Sequence, residues 1–298
     1  MEEIRNVKKV LDEKFKIKDI GRLKYFLGLE FAHSSKGLAI CQRKYTLDLL
    51  EEFGMLGAKP ASTPMHYSAA LSKNSGMKLS DSLWYRKLVG KLLYLTNTRP
   101  DISYAVGCLS QFLDCPTDQH FQVGLHVLRY LKGDSSSSLF FAKDNNLKLT
   151  GFVDSDWATC LDTRRSRSRK QTTVSCSSLD AEYRAMSQAT REGQWLVYLL
   201  KELQAEHKTP FSLFCDTQST LHIAANPIFH ERTKHLEVDC HLVRDKTQEG
   251  VVKLLPVKTT EQTADILTKI LSPTPFNTCR SKLGLLNLYI PSLKAGIT

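Results

Sequence analysis

Four short acidic signatures in the second half of the chain carry residue types able to hold hard metal ions. They are Gly151-Phe152-Val153-Asp154-Ser155-Asp156-Trp157, Asp180-Ala181-Glu182-Tyr183-Arg184-Ala185, Leu213-Phe214-Cys215-Asp216 and Thr263-Ala264-Asp265-Ile266-Leu267-Thr268-Lys269. Asp154 and Asp216 each end a short apolar run of the kind that forms a strand, whereas Glu182 and Asp265 fall in the first turns of segments with helical spacing. Strand ends and helix starts can face one crevice. The carboxylates of Asp154, Glu182, Asp216 and Asp265 would then offer an all-oxygen ligand set suited to Mg²⁺, and a pair of such ions can clamp the attacking and leaving oxygens of a phosphodiester. Taken singly, each acid has a plainer reading as a solvated surface group or a helix cap. Asp265 in particular gains from the helix dipole whether or not a metal is present.

The elements that must position these acids alternate. Apolar runs predict strands over about 147–154, 211–216 and 251–257, separated by helical patterns over 178–204, 218–225, 234–248 and 261–270. That order predicts an α/β unit, a mixed sheet with helices packed on it. Ser177 with Asp180, and Thr259 with Gln262, have the spacing of capping boxes ahead of the first and last of these helices. Upstream, the pattern predicts a helix over 1–14, a hairpin from 25–31 and 37–41, and a short helix over 45–53. A Ser-, Ala- and Pro-containing connector over 60–77 leads to helical segments at 84–95, 102–113 and 118–132.

Composition sets the outer limits. With 298 residues the chain is long enough for two cores, and its net charge of +10 favours a polyanionic partner. It has no apolar run long enough to span a membrane and begins without the layout of a signal peptide, which predicts an intracellular protein. The 8 cysteines include no Cys-x-x-Cys pair and fall mostly in apolar runs, the pattern of reduced, buried thiols. His235, Asp239, Cys240 and His241 lie close together, but their spacing does not match a helical zinc site; His235 and Asp239, one turn apart, suit a local surface pair. Trp157 and Trp195 sit in apolar contexts that predict core positions.

Together the four acidic motifs resemble the ribonuclease H domain of a Ty1/copia-type retrotransposon Pol polyprotein, and the resemblance extends upstream. Arg22-Leu23-Lys24-Tyr25-Phe26-Leu27-Gly28-Leu29-Glu30 and Gln42-Arg43-Lys44-Tyr45 are similar to the stretch just after a reverse transcriptase's catalytic acids. Tyr85-Arg86-Lys87-Leu88-Val89-Gly90-Lys91-Leu92-Leu93-Tyr94-Leu95, then Thr98-Arg99-Pro100-Asp101-Ile102, and Arg232-Thr233-Lys234-His235 with Val238-Asp239 and His241, are motifs of the same family. The resemblance implies a palm remnant over 1–66, a helical connection over 67–137, a ribonuclease H-like domain over 138–272 and a tail over 273–298. It further implies that Asp154, Glu182, Asp216 and Asp265 hold two Mg²⁺ ions, with Mn²⁺ as a substitute, and cut the RNA strand of an RNA–DNA hybrid.

Departures from the family pattern narrow that expectation. No Asp-Asp pair occurs in the sequence, so nucleotidyl transfer is not expected of it. After Asp162-Thr163-Arg164-Arg165-Ser166 the family continues through a hairpin, whereas this chain passes through Arg167-Ser168-Arg169 directly to Lys170-Gln171-Thr172-Thr173-Val174-Ser175, and Cys176 stands where the family has arginine. Roughly 15 residues, the length of two strands and a turn, are missing relative to the family. The expected consequences are an unpaired edge on the Asp154 strand and an impaired nuclease. Arg164, Arg165, Arg167, Arg169 and Lys170 are brought together by the same shortening and form a candidate nucleic-acid-binding cluster, or else a solvated loop. An inactive nucleic-acid-binding remnant, or a fragment without activity, stands as the alternative to the enzyme.

Overall fold

The computed structural model describes residues 2–18, 21–69, 71–143, 148–155, 178–205, 210–218, 221 and 237–287. Two sheets organise it, and they differ in kind. The first is antiparallel, built from β1 (Tyr25–Phe26), β2 (Leu29–Ser34) and β3 (Gly37–Cys41), joined by β4 (Ser137–Ala142) and β8 (Leu285–Asn287), in the order β1-β2-β3-β4-β8. The register runs Phe31 opposite Ile40, Ile40 opposite Leu139 and Ser137 opposite Asn287. Gly37 at the β2–β3 turn lies so close to β4 that a Cβ there would stand 2.1 Å from the Phe141 carbonyl oxygen. The expected division near residue 137 therefore does not follow the hydrogen bonding, because β4 and the 285–287 strand both pair into the N-terminal sheet.

α1 (Glu2–Phe15) precedes this sheet, with Val7 and Val10 exposed. α2 (Arg43–Glu52), α3 (Leu83–Leu95), a 3₁₀ turn (Pro100–Ile102), α4 (Ser103–Ser110) and α5 (Asp118–Gly133) build the first core. On α3 the buried residues Tyr85, Leu88, Val89, Leu92 and Leu95 follow the three-and-four spacing of one helix face. The expected helix over 102–113 divides into the 3₁₀ turn and the shorter α4. Pro100 sits at the start of the turn, where a missing amide costs nothing.

The second sheet is parallel and has three strands among the described residues: β5 (Thr150–Val153), β6 (Phe211–Cys215) and β7 (Val252–Pro256), with β6 in the middle. Parallel neighbours need a crossover. α6 (Ser178–Glu202) lies between β5 and β6 in sequence, and α7 (Glu237–Gln248) lies between β6 and β7. On β6, Phe211, Leu213 and Cys215 alternate onto one face and are buried in the second core with α6 and α7, whereas Phe214 on the other face is only partly buried and stacks on the exposed Phe152 at 5.3 Å. α6 turns Tyr183, Met186, Ser187 and Thr190 inward, and Gly193 continues that face, where any Cβ would stand 2.2 Å from the Phe211 ring. Trp195, expected in the core, is instead 57% exposed on the opposite side of α6. β5 is an outer strand of this sheet among the described residues, and the shortened stretch after it, with Trp157, lies outside them.

The last expected helix, over 261–270, is not continuous. A 3₁₀ turn at Thr259–Glu261 is followed by extended Gln262 and then by α8 (Asp265–Thr268). The Thr259–Gln262 capping box does not form, because the buried Gln262 side chain is drawn away to the Val153 carbonyl. α9 (Pro273–Lys282) follows, and its Phe276 and Cys279 join Ile266 of α8 in the first core. Ser177 of the other expected box, the segment around 218–225 apart from Gln218 and Leu221, and His235 lie outside the described residues. Asp239 accepts from Ser187 at 2.7 Å and Arg191 at 3.3 Å, both on α6. The described cysteines are free thiols, all buried except Cys115. Among the described residues no helix is long and apolar enough to cross a membrane.

Candidate functional site

The parallel register decides where two of the acids go. Val153 of β5 stands opposite Cys215 of β6, so the next residues, Asp154 and Asp216, leave the sheet side by side at its C-terminal edge. That edge is where open α/β sheets present their ligand crevice. Glu182 comes to the same place from the first turns of α6, with Ala181 and Tyr183 buried on either side of it. One carboxylate oxygen from each of Asp154, Glu182 and Asp216 lies within 4.8 Å of the other two.

Burial gives this cluster its electrostatic character. Glu182 is 8% exposed; its Oε1 accepts from the Ser155 hydroxyl at 3.0 Å, while its Oε2 is buried without a hydrogen-bond partner. Desolvation, reinforced by the Asp154 charge, pushes the Glu182 carboxyl up to about 7. Burial also raises Asp154, against the opposing pull of Thr268 and Lys269. A buried carboxylate oxygen without a donor, flanked by like-charged oxygens, is costly unless a cation or proton satisfies it.

Asp265 does not join the cluster directly. Lys269, one turn further along, donates to Asp265 Oδ1 at 2.8 Å and to Asp154 Oδ1 at 3.1 Å, so an ammonium stands between the two carboxylates. The Thr268 hydroxyl donates to the other Asp154 oxygen. Burial pulls the Lys269 ammonium down, but Asp265 and Asp154 outweigh it and the net shift is upward. Among the described residues three carboxylates thus converge, and Asp265 is linked to them through Lys269. Arg164, Arg165, Arg167, Arg169 and Lys170 lie outside the described residues.

Sequence reasoning missed Ser155, Gln262, Thr268 and Lys269 as parts of the site. The Asp265/Lys269 spacing of one helical turn was a usable signal, since such pairs bond along a helix face. Nothing local to the sequence announces that Lys269 also reaches Asp154, a residue 115 positions away.

The donor set fits a hard divalent cation. Oxygen ligands, close mutual approach and an unsatisfied buried oxygen are what such an ion requires, and among the described residues no thiolate or imidazole belongs to the cluster.

Comparison with known proteins supplies the family context. Residues 1–67 match the family described as reverse transcriptase (RNA-dependent DNA polymerase). The chain is 42% identical over 290 residues to the retrovirus-related Pol polyprotein from transposon RE1 of Arabidopsis thaliana, a match covering 92% of this chain and 20% of that polyprotein. It is 33% identical over 306 residues to the corresponding polyprotein from transposon TNT 1-94 of Nicotiana tabacum, covering 95% of this chain and 23% of that one. An uncharacterized mitochondrial protein of Arabidopsis thaliana is 39% identical over 200 residues, with 83% of its length covered. The chain spans about a fifth of the length of the Arabidopsis polyproteins it matches, 20% in each case. No solved structure matches.

Proposed function

The chain belongs to the copia-type retrotransposon Pol polyproteins, and on that premise we propose that its Asp154–Glu182–Asp216 cluster is a divalent-cation site for ribonuclease H-type hydrolysis of the RNA strand of an RNA–DNA hybrid. The observation that carries this reading is the convergence of three carboxylates around a buried, unpartnered Glu182 oxygen. In this reading the parallel sheet and its helices are a ribonuclease H-like unit shortened by a hairpin after Asp154.

Asp154, Glu182 and Asp216 would hold the ions, with Asp265 as a fourth ligand once freed from Lys269. Bound Mg²⁺ supplies activation of an attacking water and charge stabilisation at the leaving 3′ oxygen. The chain's own residues do the positioning. Ser155 orients Glu182, and Thr268 orients Asp154. Burial of Glu182 and of the Asp154 side chain keeps bulk water from screening the charges they hold. Arg164, Arg165, Arg167, Arg169 and Lys170 would bind hybrid phosphates in a salt-sensitive manner.

The inactive-remnant reading is favoured by one observation, the Lys269 bridge that already neutralises Asp154 and Asp265. Cleavage of a labelled RNA–DNA hybrid in Mg²⁺ or Mn²⁺, with Asp154→Asn and Asp216→Asn as controls, separates the two. Weak cleavage that both substitutions abolish is the expected result, in keeping with the shortened unit. Salt-sensitive binding without cleavage would leave only the remnant.

A further inference from the structure

Asp154 has both carboxylate oxygens engaged by consecutive residues of one short segment, Thr268 on Oδ2 and Lys269 on Oδ1. Its side chain is 2% exposed, so bulk water does little to screen its charge and the Lys269 ammonium supplies the counter-charge, whereas the Lys269 side chain is 40% exposed and has an open route to solvent. We propose that Lys269 is a resident cation of the carboxylate cluster, which holds Asp154 to Asp265 in the metal-free protein and competes with a divalent ion for Asp154. The inference rests on the divalent-cation reading of the cluster and deepens it by identifying what the ion must displace.

Which part moves follows from the packing. α8 is anchored by Ile266, 2% exposed in the first core, and by Gln262 at its approach, bonded to Val153. The backbone carrying Lys269 is thus fastened at both the helical core and the end of β5. The long lysine side chain is free to swing outward without disturbing either attachment. Displacement removes the Asp154 and Asp265 ion pairs and replaces one charge by two, so the exchange is favourable only when the incoming ion also takes Glu182 or Asp216. Lys269 thereby acts through Asp154 as a positioning residue. It keeps the acids together while no metal is bound and raises the concentration of metal required.

The test uses the full chain in three forms: wild type, Lys269→Gln and Lys269→Arg. Mn²⁺ alone is titrated with the free ion followed by electron paramagnetic resonance, and melting temperature is measured in EDTA. The neutral Gln variant is expected to melt lower without metal yet to bind Mn²⁺ more tightly, by about fivefold or more, because one competing positive charge has gone. The Arg variant keeps the charge and is expected within about twofold of wild type. A merely structural lysine would move both readings the same way, lowering melting temperature and weakening Mn²⁺ together. Gln binding equal to or weaker than wild type overturns the proposal while leaving the metal site standing. Binding by neither form removes the metal site and the proposal with it, whereas Mn²⁺ binding by Gln alone supports both. If the Gln variant fails to fold, Arg tightening Mn²⁺ binding by more than about fivefold would contradict the charge argument by itself.

Discussion

The side-chain amide of Gln262 donates to the main-chain carbonyl of Val153 at 2.8 Å, which fastens the approach to Asp265 onto the end of the strand that delivers Asp154. Gln262 is 1% exposed, and its own carbonyl accepts from the Cys279 thiol at 3.6 Å. Gln262→Ala removes the donor and leaves a buried strand carbonyl without it. The expected cost is about 1–3 kcal/mol, read as a lower midpoint in urea. An unchanged midpoint would mean that the Gln262–Val153 bond does not hold these segments together.

Glu182 makes stability depend on pH in an unusual direction for a carboxyl. Its folded value near 7 lies above the ordinary 4.5, so the folded state holds its proton where the unfolded state has lost it. The contribution is therefore favourable relative to high pH, complete below about 4.5 and lost as pH rises through about 7. Between pH 4.5 and 8, in EDTA, wild type is expected to lose up to about 3 kcal/mol relative to Glu182→Gln. Asp154→Asn should shallow that slope, since Asp154 is the second cause of the shift. Parallel pH profiles for wild type and Glu182→Gln would sink this account of the cluster's burial.

A separate buried network holds α9 to the first core. Arg99, 2% exposed, grips Asp101 at 3.0 and 2.8 Å, while the Tyr130 hydroxyl and Arg280 of α9 converge on the same carboxylate. Asp101→Asn leaves the Arg99 guanidinium buried without its counter-charge, with an expected loss of about 3–5 kcal/mol. Replacing both, as Arg99→Met with Asp101→Leu, should cost less than the single change. Equilibrium denaturation of the two variants decides it, and a double variant less stable than Asp101→Asn would contradict the buried-charge explanation.

The strands of the second sheet were legible because their apolar runs stop at Asp154 and Asp216 with helical patterns between them, but the alternation predicted a mixed sheet, and the described pairings are both parallel. The placement of β4 was not legible. Its partners, 37–41 and 285–287, lie far away in sequence, and Ser137-Ser138-Leu139-Phe140-Phe141-Ala142 says nothing about which edge it will join. The 261–270 segment misled for a different reason. Its helical spacing is real, but the Gln262 side chain bonds Val153 rather than capping a helix, so tertiary bonding overrides the local signal. Trp195 follows the same lesson in reverse, since its apolar neighbours Leu196 and Val197 mask a helix face that points outward. At the site, the acids were visible as residue types at segment ends, while the lysine between two of them depends on a contact no local spacing encodes.

Anomalous diffraction from crystals grown in Mn²⁺ decides whether Asp154, Glu182 and Asp216 form a divalent-cation site. A manganese peak is expected at coordination distance, about 2.1 Å by analogy with Mg²⁺, from carboxylate oxygens of all three residues, with the Lys269 ammonium withdrawn from Asp154. A structure in which Lys269 still bridges Asp154 and Asp265 and no peak lies among the three acids would contradict it.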